Sequence, residues 1–268
     1  MEISESRVNN MYSIESVEKW LRLSPKTLVN HYIELISDKE FLSLISELIL
    51  ANVNYKTNIP GLFKNHPITN VDWYGLQRVL LYCLVREFKP KVILETGVYY
   101  GGNSVFILRA LDRNGSGKLV SIDYPQNRMD SSALSLRHPW VGDSELYAAN
   151  YEPGFIVPDR YRKYWNLKIS DSLDFLSSYN NSIDLFVHDS EHTLGHVKSE
   201  LDLIWEKIPN CGLAFVDDID WSNGFYSFVV SNSLYPLLLT DNGKDNLRVR
   251  TGLIQKNHNY NEFFKITK

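Results

Sequence analysis

Apolar positions in the first 58 residues recur every three or four places, the spacing that one face of an α-helix requires. Ser24 followed by Pro25 is typical of a helix start, and the Ser37–Glu40 pair has the form of a capping box. We therefore expect residues 1–58 to form an N-terminal helical segment and residues 59–268 to form the main domain. Three amphipathic stretches carry this pattern: 13–23, 24–35 and 37–50.

The pattern changes after residue 90, where short apolar runs alternate with amphipathic stretches. Alternating β and α units predict a parallel sheet with right-handed crossovers and helices on both faces. Two final apolar runs, 236–240 and 247–256, flank the turn sequence DNGKDN and predict an antiparallel hairpin. We expect a doubly wound, Rossmann-like α/β fold whose seven-stranded sheet is mostly parallel, with an antiparallel last strand. The earlier apolar runs are 91–97, 118–124, 166–171, 183–189 and 211–218.

An insertion rich in aromatic residues, 124–165, leaves the carboxyl end of the second predicted strand. Ligands of open α/β sheets bind at that edge, so the insertion could be a lid or a wall of the substrate site. A surface loop or an oligomer contact explains the same aromatic residues equally well. They are Tyr124, Trp140, Tyr147, Tyr151, Tyr161, Tyr164 and Trp165.

Composition narrows the partners and the compartment. The formal net charge of −4 over 268 residues leaves no basic footprint, so nucleic acid is not an expected partner. Cys83 and Cys211 are the only cysteines, and they lack zinc-site spacing. A disulfide between them stays open at the level of sequence, but so few cysteines favour a reducing cytoplasm. The polar N-terminus and the absence of a long apolar stretch predict neither targeting nor membrane insertion. Either the N-terminal helices or the insertion could support a homo-oligomer.

Acidic residues follow each of the first five predicted strands. Because the carboxyl ends of parallel strands meet at one edge of the sheet, these side chains should lie near one another. A single aspartate at such a turn is ordinarily a helix cap. Acids after five successive strands repel one another and need cations or hydrogen-bond donors close by. They are Glu95, Asp123, Asp171, Asp189, Asp217 and Asp218.

The stretch LETGVYYGGNS at residues 94–104 narrows the choice of ligand. Glu95 stands where the first glycine of a dinucleotide fingerprint is expected, and no P-loop sequence follows. A carboxylate at this position disfavours phosphate, whereas Asp123 could accept both hydroxyls of a ribose. A nucleoside with an amino or sulfonium group in place of a pyrophosphate fits both acids, and S-adenosylmethionine is such a molecule.

Residues 72–256 resemble the class I S-adenosylmethionine-dependent methyltransferases. The resemblance places the family's acid-x-glycine motif on Glu95 and Gly97, and its ribose-binding acid on Asp123. It places the adenine-side position on Asp171 and Ser172. The resemblance thus implies that these five residues bind the cofactor.

Two further residues belong to the predicted cofactor site. Ser104 is a candidate cofactor contact or a hydroxyl at a helix N-terminus. Asp189, at the end of the fourth strand, is a candidate both for the cofactor site and for catalysis.

The second half of the chain is similar to magnesium-dependent O-methyltransferases that act on macrolide sugars and related natural products. The shared features are Asp189 and His192 at D-x-x-H spacing, followed by the acid pair Asp217 and Asp218. The resemblance implies that the three aspartates bind the metal and that His192 is the general base. The first acid of the pair is often glutamate in that family, whereas this chain has the shorter Asp217.

General chemistry agrees with these roles. Oxygen ligands suit Mg²⁺, and a bound hydroxyl acquires a lower pKa and a fixed orientation. A histidine can then remove its proton while the oxygen attacks the methyl carbon. We expect an O-methyltransferase that acts on a sugar or polyhydroxylated small molecule with S-adenosylmethionine and Mg²⁺.

Three alternatives remain open at the level of sequence. A metal-independent methyltransferase could use His192 as base while the acids serve structure. A nucleotide-sugar or NAD-binding enzyme shares the fold, and a non-catalytic binding protein could retain it.

Among the residues near His192, His188 is expected to pack inside the sheet, and His196 is expected to follow His192 by one helical turn. Trp221 is expected either to line the substrate site or to cover the core.

Overall fold

A computed structural model of the chain describes residues 5–56, 75–124, 152–243 and 246–257. Within these ranges, seven strands form one sheet in the order β3-β2-β1-β4-β5-β7-β6. The central strands β4 and β5 are buried along their whole length, whereas the edge strand β3 alternates between less and more exposed residues. The strands are β1 (Val92–Thr96), β2 (Lys118–Asp123), β3 (Trp165–Ile169), β4 (Leu185–His188), β5 (Leu213–Val216), β6 (Leu237–Gly243) and β7 (Asn246–Gln255).

Strand directions confirm the predicted fold class. Strands β3, β2, β1, β4 and β5 pair in parallel, and β7 runs antiparallel to both β5 and β6. The order starts in the middle of the sheet and winds outward in both directions, as a doubly wound fold requires. This winding brings the carboxyl ends of β1, β2, β4 and β5 side by side.

Helices cover both faces of the sheet. One core cluster packs helices α1 through α5 against one face of the sheet. A second cluster packs helices α6 through α8 against the other face. The described helices are α1 (Glu5–Trp20), α2 (Thr27–Ser37), α3 (Lys39–Lys56), α4 (Gly75–Phe88), α5 (Gly102–Asn114), α6 (Ser172–Ser178), α7 (Leu194–Trp205) and α8 (Gly224–Ser231), with a 3₁₀ helix at Asp159–Tyr164. Among the helices in these ranges, none is long and apolar enough to cross a membrane.

The N-terminal helices share their core with the sheet. Phe41 of α3 packs edge-on against Phe106 of α5 at 5.3 Å between ring centroids, and Tyr32 of α2 is buried in the same cluster. Helix α2 also packs on α4. The predicted boundary at residue 58 lies outside the described residues, so the division into two domains stays a prediction.

The start of α2 differs from the predicted Ser24–Pro25 cap. The helix begins at Thr27, and Lys26 before it adopts a left-handed conformation with φ 67° and gives no side-chain cap. The capping group comes instead from α1, where the buried Glu18 carboxylate accepts three backbone N–H groups. The donors are Lys26 at 3.1 Å, Leu28 at 2.5 Å and Val29 at 3.0 Å.

The predicted capping box at Ser37–Glu40 is also wrong in its residues. Ser37 ends α2, and Asp38 accepts the backbone N–H of Phe41 at the start of α3. The second oxygen of Asp38 binds Arg109 at 2.6 Å and Arg113 at 2.8 Å, both on α5. Asp38 therefore caps one helix and fastens it to another.

The aromatic insertion is described only in part. Trp140, Tyr147 and Tyr151 lie outside the described residues, whereas Tyr161 is fully buried in the main core. The backbone of Gly154 donates to Tyr99 at 2.8 Å and so holds this part of the insertion against the turn after β1. The lid and oligomer interpretations of the remainder stay predictions.

Removing the Glu18 carboxylate should destabilise the protein. In Glu18→Ala three N–H groups at the start of α2 lose their acceptor, and we expect the free energy of unfolding to fall by about 2 kcal/mol. Urea unfolding measures the change, with the exposed Glu15→Ala on the same helix as the control. Equal losses in the two variants would contradict the capping role.

Candidate active site

Backbone hydrogen bonds continue past the strand ends and bring the acidic positions together. Gly97 donates to Ile122 at 2.9 Å, Asp189 donates to Thr96 at 2.9 Å, and the Asp217 N–H bonds the carbonyl of His188 at 3.0 Å. The residues that follow β1, β2, β4 and β5 are thus neighbours at one edge of the sheet.

Glu95 lies fully buried at this edge, on β1. Its Oε2 accepts hydroxyl hydrogen bonds from Ser104 at 2.7 Å and from Ser121 at 2.5 Å. Burial raises the pKa of the carboxyl to about 7, although the two serines oppose the shift. Its Oε1 is buried without a hydrogen-bond partner in the part of the chain that the structure describes.

Close packing requires a glycine at position 97. It has φ +81°, and a Cβ there would overlap the backbone carbonyl oxygen of Asp189. The turn after β1 can therefore press against the end of β4 only if this residue has no side chain.

Asp123 binds the same turn from the end of β2. Its Oδ2 accepts the backbone N–H groups of Val98 and Tyr99, each at 2.8 Å. Asp123, which is predicted to bind the ribose, is thus also a structural residue that holds the turn to the sheet.

Asp171 and Ser172, predicted at the adenine side, have internal contacts. Asp171 caps α6 by accepting the N–H groups of Leu173 at 2.9 Å and Asp174 at 3.2 Å. The Ser172 hydroxyl lies 3.1 Å from His196 Nε2, and so the end of β3 is linked to α7.

Asp189, His192 and Asp218 converge. His192 Nε2 lies 3.9 Å from Asp189 Oδ1 and 3.8 Å from Asp218 Oδ2. The second oxygen of Asp189 accepts the Asn103 side-chain amide at 2.7 Å, a contact that the sequence analysis missed. Asn103 stands in the first turn of α5, inside the glycine-rich stretch, and that position was the available signal.

His192 is neutral at physiological pH. Burial lowers its pKa to about 3. Its ring centroid lies 6.3 Å from that of Trp221. The Trp221 side chain is 45% exposed, so it forms a surface beside His192 and does not cover the core.

Asp217 and Asp189 hold protons more tightly than ordinary carboxyls. Burial and the Asp218 charge raise the pKa of Asp217 to about 7, and burial with the charges of Asp217 and Asp218 raises that of Asp189 well above its usual value. The Arg78 guanidinium of α4 opposes both shifts, and nothing in the sequence pattern singled it out.

Asp218 is paired with Arg250 of β7. Arg250 Nε donates to Asp218 Oδ1 at 2.7 Å, and its Nη2 contacts the same oxygen. Asp218 has the left-handed φ of 48°, which lies in the region that few non-glycine residues adopt. The hairpin thus brings a cation that is 32 positions away in sequence to the acidic edge.

The three predicted metal ligands do not form a preassembled metal site. Within the ranges that the structure describes, no group of three or more His, Cys, Asp or Glu side chains is arranged to hold a metal ion. One oxygen of Asp189 accepts from Asn103, and one oxygen of Asp218 accepts from Arg250, so both carboxylates already have protein partners.

Behind the edge lies a buried network centred on Glu200, which the sequence analysis did not identify. Glu200 Oε2 accepts from Thr96 at 2.6 Å and His188 Nδ1 at 2.7 Å, and its Oε1 accepts from Ser190 and His196, each at 2.9 Å. Burial alone would raise the pKa of Glu200, but the two histidines hold it well below its usual value. The expectation that His188 packs inside the sheet is correct, yet the ring is also hydrogen-bonded.

A family comparison and a structural comparison agree with this architecture. Residues 94–219 match the family model described as a methyltransferase domain. No curated protein sequence matches the chain.

Solved O-methyltransferases share the fold at low sequence identity. A Bacillus cereus O-methyltransferase in complex with S-adenosylhomocysteine is 15% identical, covers 80% of this chain and 91% of its own, and has a TM-score of 0.51. TomG from Streptomyces achromogenes, in complex with S-adenosylmethionine, is 15% identical, covers 95% and 100%, and has a TM-score of 0.52. The O-methyltransferase NovP is 14% identical, covers 81% and 98%, and has a TM-score of 0.51. Likeness at this identity establishes the fold.

Replacing Glu95 by glutamine should change how stability depends on pH. The folded pKa of about 7 exceeds the ordinary value of 4.5, so the contribution of Glu95 is full below pH 4.5 and is lost as pH rises through 7. Glu95→Gln removes this loss. Its stability relative to the parent should therefore rise by about 3 kcal/mol between acidic and mildly alkaline pH.

Urea unfolding of ligand-free protein between about pH 5 and pH 8 measures this difference. The exposed Glu47→Gln, which also replaces one carboxyl by an amide, is the control. A Glu95→Gln curve parallel to that of the parent would show that Glu95 titrates normally.

Proposed function

We propose that the chain is a class I S-adenosylmethionine-dependent methyltransferase, because residues 94–219 match a methyltransferase-domain family model and solved O-methyltransferases share the fold. From this premise we propose that it transfers the methyl group of S-adenosylmethionine to a hydroxyl of a small molecule. The observation that carries the proposal is the convergence of His192 Nε2 with Asp189 and Asp218 at the edge where the glycine-rich turn ends β1. A base at this edge lies next to Glu95, Gly97 and Asp123, which are predicted to bind the cofactor.

The acidic edge fits the charge of the cofactor. S-adenosylmethionine carries a sulfonium and an ammonium group, and both favour carboxylates. Glu95 Oε1 is a buried acceptor whose hydrogen bond no described residue supplies, as a site for an ammonium donor requires. We assign Glu95, Gly97, Asp123 and Asp189 to the cofactor site, which Ser104, Asp171 and Ser172 support through their contacts.

His192 is the proposed general base. Because burial keeps its imidazole neutral at physiological pH, one ring nitrogen has a lone pair that can take the proton from the substrate hydroxyl. The hydroxyl oxygen then bonds the methyl carbon as the carbon–sulfur bond breaks and its electron pair stays on sulfur. In their ionised forms, Asp189 and Asp218 flank the base and stabilise the imidazolium that forms.

We further propose that Mg²⁺ assists the reaction, held by Asp189, Asp217 and Asp218. The donor chemistry fits, because hard oxygen ligands suit Mg²⁺ and a cation would offset the repulsion that raises the pKa of two of these acids. Bound there, the ion would orient the acceptor hydroxyl and lower its pKa.

A metal-independent methyltransferase is the second candidate, and one observation favours it. Arg250 already places a positive charge on Asp218, at 2.7 Å, and so performs part of the neutralisation that a metal would supply. His192 is the base in both versions, so only the requirement for a metal separates them.

We propose a sugar or another polyhydroxylated natural product as the acceptor. Trp221 is 45% exposed with its ring centroid 6.3 Å from that of His192, and so it offers an aromatic platform for a ring; Leu194, two residues after His192 in the chain, is 48% exposed. TomG, a structural relative, is described as involved in tomaymycin synthesis.

The two cysteines, Cys83 and Cys211, are free, which supports a cytoplasmic location. The exposed Ile33 of α2 supports a homo-oligomer through the N-terminal helices.

Removing the charge of Asp123 should weaken cofactor binding. Asp123→Asn retains an oxygen for the N–H groups of Val98 and Tyr99 but loses the charge-assisted bonds to ribose hydroxyls. We expect the dissociation constant for S-adenosylhomocysteine to rise about tenfold. Fluorescence or calorimetric titration measures it, with the exposed Asp174→Asn as the control. Equal binding by the two variants would remove Asp123 from the site.

The base and the metal requirement can be tested in one activity assay. With S-adenosylmethionine and a panel of hydroxylated acceptors, His192→Gln should lower kcat by about 10²–10⁴-fold with cofactor affinity unchanged. His31→Gln, on the surface ion pair with Glu87, is the control. EDTA should abolish the parent activity and Mg²⁺ should restore it. Activity that persists in EDTA would favour the metal-independent version.

A further inference from the structure

Glu200 of α7 is a fully buried carboxylate that the proposed chemistry leaves without a role. Four side chains donate to its two oxygens, among them His188 of β4 and His196 of α7. A buried charge is retained only where it is fully hydrogen-bonded, and this one is. Its hydrogen bonds to Thr96 and His188, the last residues of β1 and β4, connect it directly to the acidic edge.

The Glu200 carboxylate fixes the tautomer of His188. An ionised carboxylate can only accept, so His188 Nδ1, 2.7 Å from Glu200 Oε2, must carry a hydrogen. With no second proton on the ring, His188 presents its other nitrogen, Nε2, as an acceptor. That atom is buried and has no hydrogen-bond partner among the described residues.

His192 has the complementary atom. Its Nδ1 is also buried and without a hydrogen-bond partner in the described chain. The two rings are neighbours, with centroids 5.5 Å apart and planes at 85°. Rings this close can be joined by a hydrogen bond between these two nitrogens after a small rotation. If His192 Nδ1 carries the hydrogen, both buried nitrogens are satisfied at once.

We propose that Glu200 and His188 are positioning residues that hold His192 with its proton on Nδ1, leaving the lone pair on Nε2. Nε2 is the atom that lies between Asp189 and Asp218, at 3.9 Å and 3.8 Å. The opposite tautomer would present an N–H to the acceptor, which a general base cannot use. This inference rests on the proposed role of His192, but the tautomer itself is measurable without any activity.

A purely structural role for Glu200 makes a different prediction. Its four hydrogen bonds tie Thr96 of β1 and Ser190 to α7, and their loss would lower stability whatever His192 does. Such a role leaves the His192 tautomer and the ratio of kcat to KM effects unchanged. The tautomer is therefore the quantity to measure.

Nitrogen-15 NMR of histidine-labelled, ligand-free and metal-free protein reads the tautomer of each ring, and His192→Gln identifies the His192 signals. We expect the parent to show His192 protonated on Nδ1 and His188 neutral. His188→Phe, which removes the acceptor nitrogen and keeps a ring, should convert His192 to a mixture of tautomers. A parent His192 protonated on Nε2, a doubly protonated His188, or a tautomer unmoved in folded His188→Phe would overturn the proposal.

Kinetics of Glu200 variants give the second test. Glu200→Gln should lower kcat about tenfold or more with KM for S-adenosylmethionine nearly unchanged, and Glu200→Asp should recover part of the loss. Tyr82→Phe, which removes a buried hydroxyl bonded to Glu34 far from this network, is the control for lost stability.

The two tests separate the failure of each proposal. A Glu200→Gln enzyme that loses stability as Tyr82→Phe does, yet keeps its kcat, would overturn the positioning role. A parent that shows the expected tautomer but no methyl transfer to any acceptor would contradict the proposed function and leave the Glu200–His188–His192 geometry intact.

Discussion

Six carboxyl groups at one edge of a parallel sheet repel one another, and the surrounding side chains are arranged around that repulsion. Arg250 neutralises Asp218, backbone N–H groups bind Asp123 and Asp171, and two serines bind Glu95. Asp189 and Asp217 keep raised pKa values in spite of Arg78. The edge is therefore incompletely compensated by the protein itself, and this favours a positively charged ligand.

The N-terminal helices give this edge a rigid support. Asp38 at the start of α3 binds Arg109 and Arg113 of α5, and Glu34 of α2 binds Arg86 of α4. Helix α5 begins with the residues that reach the acidic edge, where Asn103 donates to Asp189. Fixing α5 from behind therefore fixes the first turn of the site. The segment is part of the core that positions the chemistry.

Sequence reasoning was sufficient for the features that depend on local pattern. Buried apolar runs predicted the strands, and the strand ends predicted which acids would be neighbours, because topology alone brings them together. It failed where a partner comes from a distant element. Glu18 caps a helix from eight or more residues upstream, Arg250 reaches Asp218 across the hairpin, and Glu200 binds His188 across a strand and a helix. The spacing of apolar residues along the sequence does not predict such contacts, because they depend on tertiary packing.

Proton release on cofactor binding tests the central claim, that the acidic edge is built for a cationic ligand. A positive ligand lowers the pKa of nearby carboxyls, so Glu95, Asp189 and Asp217, whose pKa values are raised, should lose protons near neutral pH when S-adenosylmethionine binds. Calorimetric titration in two buffers of different ionisation enthalpy counts those protons. We expect micromolar binding with proton release near pH 7. The absence of binding, or binding with no proton released, would contradict it.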